Sequence, residues 1–154
     1  VVSIEPDSDF AFKRAKNLIF QFNLDEECFT FIESRISTLN EMKYVKNILQ
    51  EHDLHKLSWD FVVCIGLGDY YYTRKRICNL LEHIKQIKGS GKVIVANISD
   101  NFIERFFLHI LIQWPKMKYR SLKEWRNILL MVFLNHKLEI VQTPQGIFNI
   151  AIIE

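Results

Sequence analysis

Nothing in this 154-residue sequence is long and apolar enough to cross a bilayer, since no apolar run reaches the ~18 residues that a spanning helix needs. No signal peptide stands before the first strand-like segment, and no initiator methionine either: the chain opens on Val1-Val2-Ser3-Ile4, as though cut at the edge of a strand. These absences lead to the expectation of a soluble, cytoplasmic protein that is a fragment of a longer one. Charge of one sign is also missing. Lys and Arg number 20 and Asp and Glu 18, a formal charge of +2, which excludes a generally basic nucleic-acid binder. Disorder is excluded as well, because 49% of the residues are apolar and a chain of this length can bury about two-thirds of the surface its unfolded form exposes. Cysteine is sparse: Cys28, Cys64 and Cys78 make an odd count without a C-x-x-C spacing and are expected as buried free thiols. Metal ligands are sparse too. His52 and His55 lie three apart with no third ligand at suitable spacing, so no metal site is expected. The sequon Asn97-Ile98-Ser99 would matter only in a secreted chain.

What is present is an alternation of strand-like and helix-like segments, rich in phenylalanine with 12 copies. Residues 1–4 read as a short buried strand, and Ser8 can cap a helix whose apolar residues Ala11, Ala15, Leu18, Ile19 and Phe22 recur at helical spacing. Residues 29–32 form a second apolar run, and Thr38-Leu39-Asn40-Glu41 has the spacing of a capping box, opening a helix that carries Leu39, Met42, Val45 and Leu49. Residues 61–65 read as the clearest buried strand. Thr73 then caps a helix with Ile77, Leu80, Leu81, Ile84 and Ile87 on one face, stopped at Gly89, and residues 92–96 follow as a strand. Asp100 caps a very apolar helix through Leu111, and Pro115 breaks it. Ser121-Leu122-Lys123-Glu124 opens another helix with Leu122, Trp125, Leu129, Val132 and Phe133 inward. Residues 138–141 and 147–153 close the chain as two strands around the turn Thr143-Pro144-Gln145-Gly146. Strands alternating with helices, and apolar along their whole length, predict a doubly wound α/β fold with a mostly parallel sheet and an antiparallel hairpin at its end.

In such sheets ligands bind beyond the carboxyl ends of the strands, here Glu5, Glu33, Gly66 and Asn97. A carboxylate immediately after the first strand, as at Glu5, is positioned to accept hydrogen bonds from both hydroxyls of a ribose, although acids after strands are commonly solvated turn residues. Gly66-Leu67-Gly68-Asp69-Tyr70-Tyr71 supplies two glycines of G-x-G-x-x-G but has tyrosine at the third, where close packing of helix on strand needs a small residue. That disfavours a dinucleotide enzyme. Gly89-Ser90-Gly91-Lys92 precedes a strand instead of following one and reads as a turn, not a phosphate loop. The basic groups Lys13-Arg14, Arg74-Lys75-Arg76 and Lys116-Met117-Lys118-Tyr119-Arg120 read as solvated faces, the last interleaved with Trp114 and Tyr119.

Taken in order, Ile4-Glu5-Pro6-Asp7, Trp59-Asp60-Phe61-Val62-Val63-Cys64, Gly66-Leu67-Gly68-Asp69-Tyr70, Gly91 through Asn97, and Gln113-Trp114 through Tyr119-Arg120 resemble class I S-adenosylmethionine-dependent methyltransferases. The nearest likeness is a bacterial subgroup with a G-L-x-D-Y turn after its fourth strand and a later D-W-x-x-x-Y-R segment, some members of which are associated with fatty-acid methyl ester formation. The resemblance covers nearly the whole chain, read as a single methyltransferase-like domain over residues 1–154 that starts at the family's second strand. It implies a Rossmann-like sheet, S-adenosylmethionine as cofactor, and a small-molecule acceptor, such as a fatty acyl or other carboxylate. It further implies that Glu5 binds the donor ribose, that Glu33 and Ser34 flank the adenine, and that Cys64, Ile65, Gly66 and Leu67 line the donor near its amino-acid end. Asp69, Asn97, Trp114 and Tyr119 would face the acceptor, with Tyr70 and Arg120 as the catalytic pair, the arginine against an acceptor carboxylate. Gln113 departs from the subgroup's aspartate.

The family's first strand and glycine-rich loop have no counterpart in the sequence. Because that strand lies at the centre of the family's sheet, the first two strands here would lack a partner joining them to the rest, and strand edges would be left open. Upstream sequence is the favoured explanation; a strand borrowed in a homo-oligomer is the other. The rival function is a non-catalytic methyltransferase-like module that serves for binding or oligomerisation.

Overall fold

The structure, a computed structural model, describes residues 2–5, 8–25, 29–33, 47, 50–51, 53, 59–70, 73–101, 106–107 and 117–154, with the side chains of 2–5, 8–11, 31–33, 67 and 70 outside the description. The expected helix after Thr38, the body of the helix after Asp100 and the histidines 52 and 55 lie outside the described residues. The chain folds as two compact units, Val1–Val45 and Lys46–Glu154.

In the first unit, strand β1 (Val2–Glu5) pairs in parallel with β2 (Thr30–Glu33), and helix α1 (Ser8–Gln21) supplies the crossover that a parallel pair requires. The register sets Glu5 beside Glu33. Both glutamates therefore occupy the last residue of a strand, one position earlier than their sequence places them. Of the apolar residues expected to face inward from α1, Ile19 is buried, whereas Leu18 and Phe22 are exposed.

The second unit carries a four-stranded sheet in the order β3-β4-β6-β5, from β3 (Phe61–Ile65), β4 (Lys92–Ile98), β5 (Leu138–Gln142) and β6 (Phe148–Ile153). β3 and β4 are parallel, joined through helix α2 (Arg74–Lys88). β6 returns between β4 and β5 and is antiparallel to both. The expectation of a mostly parallel sheet is thus corrected for this unit: the hairpin strand pairs directly with β4 from Val93↔Ile153 to Ile98↔Phe148, so two of the three neighbour pairs run antiparallel. The hairpin itself is as expected. Gly146 takes a positive φ of 72°, and Thr143 Oγ1 accepts from the N–H groups of Ile147 (3.0 Å) and Phe148 (3.1 Å).

Helix α2 starts where Thr73 Oγ1 accepts the Arg76 N–H at 3.3 Å and ends at Gly89, φ 54°. Helix α3 (Leu122–Val132) starts likewise on Ser121, whose Oγ accepts the Glu124 N–H at 3.2 Å. Their inward stripes, Ile77, Leu80, Leu81 and Ile84 on one and Trp125, Ile128, Leu129 and Val132 on the other, are buried, as are Val93, Val95, Ala151 and Ile153 of the sheet. Leu122, the first residue of α3, stays 42% exposed. β3 departs most from its sequence. Phe61, Val63 and Ile65 are 56%, 59% and 60% exposed, so the strand read as buried on both faces leaves one of them open.

The β3–β4 junction leaves no room beside Gly91. A Cβ there would run into the backbone carbonyl of Trp59, next to the Lys92 N–H to Asp60 O bond (2.9 Å) that starts the pairing. Gly91→Ala is therefore expected to destabilise the unit by about 1–3 kcal/mol in urea unfolding, since a backbone obstacle cannot swing aside as a side chain can. An unchanged midpoint would show that the two segments separate freely.

Candidate functional site

The carboxyl ends of β3 and β4 meet at a small, closed polar cluster. β3 runs out at Ile65, and Gly66 turns the chain with φ 83° into a short 3-10 turn, Leu67–Tyr70, held by the Asp69 N–H to Gly66 O bond at 3.1 Å. That turn delivers Asp69 into the interior, 3% exposed. Its Oδ1 accepts from the Ile98 N–H at 2.8 Å and from Asn97 Nδ2. Asn97, fully buried on β4, also reaches Lys118 O at 3.4 Å. Gly68 fits tightly: a Cβ would lie 3.1 Å from Ile77 Cδ1.

The segment before α3 closes the cluster from the other side. The Lys118 N–H donates to Asp69 O at 2.6 Å, and the Arg120 backbone exchanges bonds with β4's end, N–H to Ile98 O (3.2 Å) and O from the Asp100 N–H (3.1 Å). Arg120 is 1% exposed, and its Nη1 donates to Gly68 O at 3.0 Å. Asn149 Nδ2 donates to Arg120 O at 3.0 Å, while Gln142 Nε2 bridges Ser99 Oγ (2.9 Å) and Asn149 Oδ1 (3.2 Å). Polar bonds therefore run across the ends of β4, β6 and β5.

Burial dominates the electrostatics. It raises the Asp69 carboxyl to about 6, against the donors Ile98 and Asn97 and the field of Arg120, which pull it down. Cys64 is pushed up to about 12, first by burial and then by the charge of Asp69, which favours the protonated thiol. Burial lowers Arg120 from its ordinary value, opposed by Glu124 and Asp69, and an arginine remains charged nonetheless.

Of the residues singled out from the sequence, Asp69, Asn97 and Arg120 come together here, with Tyr119, 8% exposed, beside them in the chain. Cys64, Ile65 and Gly66 lead into the cluster, and Leu67 and Tyr70 belong to its turn. Glu5 and Glu33 end the strands of the first unit, while Ser34 and Trp114 lie outside the described residues. Sequence reasoning passed over Asn149, Gln142 and Ser99. Asn149 had left a sign: it occupies an inward position of β6, in line with Ala151 and Ile153, and a polar side chain on a core face must find partners. Among the described residues no group of three or more His, Cys, Asp or Glu could hold a metal ion, and no helix is long and apolar enough to cross a membrane.

The raised Asp69 carboxyl makes stability depend on pH in a definite direction. The folded state holds the proton more tightly than the unfolded chain, so this group's contribution favours folding at low pH and is lost as pH rises from about 4 to about 6. Asp69→Asn is expected to remove that dependence and to be about 1–3 kcal/mol more stable relative to the native chain at pH 7.5 than at pH 4.5, read as the difference between urea midpoints. A constant difference across this range would mean that the carboxyl titrates normally.

No protein-family model matches this sequence, and no curated protein matches it. Solved structures do match. An O-methyltransferase family protein from Burkholderia thailandensis superposes with TM-score 0.63 at 11% identity, over 99% of this chain and 42% of its own. A protein from Bordetella parapertussis described as a possible exported protein gives 0.67 at 15%, over 99% and 52%. Magnesium protoporphyrin IX methyltransferase from Synechocystis, with bound SAH, gives 0.52 at 13%, over 93% and 57%. This chain thus spans about half the length of the structures it matches. At these identities the likeness is one of fold alone: this is a mixed α/β chain, and two of the structures named are methyltransferases.

Proposed function

We propose that this chain is part of an S-adenosylmethionine-dependent methyltransferase acting on a small-molecule acceptor. The observation that carries the reading is the likeness over 99% of the chain to an O-methyltransferase family protein, supported by another methyltransferase that holds SAH. The end of β3 suits a donor: Ile65 stands 60% exposed, and Gly66, at positive φ, has no atom of the described residues beyond its chain neighbours within 4 Å of where a side chain would begin. An open backbone shoulder beyond a strand's carboxyl end is where α/β sheets take up nucleotide-like ligands.

Bound there, the donor supplies an electrophilic methyl on a sulfonium, and the protein's part is to position the acceptor in line and keep water away. We assign Cys64, Ile65, Gly66 and Leu67 to the donor's amino-acid end, Glu5 to its ribose, and Glu33 and Ser34 to its adenine. Tyr70 offers a ring to the sulfonium and a phenol to the acceptor's proton. Asn97, Trp114 and Tyr119 are assigned to the acceptor side. Arg120 serves it from the interior, through the carbonyl of Gly68 that it holds. A carboxylate acceptor is the favoured class, and the cytoplasm the favoured compartment.

Calorimetric titration of S-adenosylmethionine into this chain and into the full-length gene product is the direct test. Binding by the longer protein supports the proposal, and absence of binding by both overturns it. Glu5→Ala in the binding-competent protein should weaken the donor's affinity by at least about tenfold, since each ribose hydrogen bond to a charged group is worth about 1.5–3 kcal/mol, with the circular dichroism unchanged. Unaltered affinity would remove Glu5 from the ribose. Arg120→Met should lower acceptor turnover more than donor affinity, and the reverse pattern would place the arginine with the donor.

A further inference from the structure

Asn97 and Asp69 leave one atom unsatisfied between them. Asn97 Nδ2 donates to Asp69 Oδ1 and to Lys118 O, yet Asn97 Oδ1, in a fully buried side chain, accepts no hydrogen bond among the described residues. Buried acceptors normally find a donor. An ionised carboxylate can only accept, so it draws the amide of Asn97 toward itself and leaves the oxygen over. A protonated carboxyl has an O–H to give, and the neighbouring acceptor without a donor is that same oxygen. Half a turn of the carboxamide brings it to a hydroxyl on Asp69 Oδ1, whose remaining lone pair goes on accepting from the Ile98 N–H.

We propose that Asp69 and Asn97 form a proton-dependent hydrogen-bond switch: ionised Asp69 accepts from the Asn97 amide, and protonated Asp69 donates to Asn97 Oδ1 with the carboxamide turned over. One proton is taken from solvent, and no covalent bond between heavy atoms changes. The groups facing Asp69 are Arg120, from the segment before α3, and Cys64, from β3. Arg120 favours the ionised state; Cys64 keeps its proton and adds no charge. Burial favours the protonated state and brings the midpoint to about 6, within reach of ordinary changes in cellular pH. The turned amide gives up Lys118 O, so the segment that closes the candidate site loses one of its ties to β4 on acidification. The switch depends only on bonds within the chain and stands whether or not the methyl-transfer reading does.

The test is an NMR titration of the whole chain from pH 7.5 to 5, following the Asp69 side-chain carboxyl carbon and the Asn97 side-chain amide. Both are expected to move together with a midpoint near 6. Asp69→Asn has no titrating carboxyl, so its Asn97 resonances should not move between pH 7.5 and pH 5. An Asn97 amide in the native chain that ignores the titration of Asp69 overturns the proposal by itself, as does an Asn97 amide that still titrates in the variant.

Discussion

A carboxylate closed off from water at the end of a sheet must be met by donors, and the arrangement around the β3–β4 strand ends follows from meeting Asp69. The Ile98 N–H and the Asn97 amide both turn to it, one from the backbone of β4 and one from its side chain. Its own backbone carbonyl takes the Lys118 N–H, which brings the segment before α3 against the turn. Arg120 is then carried inside, where the Gly68 carbonyl occupies it. Isolated burial would be costly for each of these groups, and together each finds a partner that it would lack alone.

The same economy extends along the sheet. Asn149 takes the carbonyl of Arg120, and Gln142 ties Asn149 to Ser99, so three strand ends are joined by side chains where their backbone ladders stop. The open shoulder at Gly66 follows the end of β3, and Ile65 is its exposed apolar neighbour.

Helices α2 and α3 were legible in the sequence because their signals are local: Thr73 and Ser121 cap them, and Ile77, Leu80, Leu81 and Ile84 repeat at helical spacing. The hairpin was legible for the same reason, through Thr143 and Gly146. Sheet order was not. That β6 would lie beside β4 depends on pairing between residues some fifty positions apart, which no local pattern encodes. The exposed face of β3 was hidden by its composition, since an unbroken apolar run says that a strand can be buried on both sides, not that it is. For Arg120 the sequence offered a charge and a family likeness. What decides its setting is the carbonyl of Gly68, 52 residues away, and a backbone acceptor leaves no trace in composition.

The insertion of β6 between β4 and β5 has a kinetic side. β5 and β6 are joined by a turn and can zip together early, because little chain entropy is lost in closing so short a loop. Pairing β6 with β4 instead closes a loop from Ile98 to Phe148 at its shortest, with α3 inside it. The last seam of this sheet to close is then its middle one, and until it does, β4 offers a bare apolar edge to whatever strand it meets first.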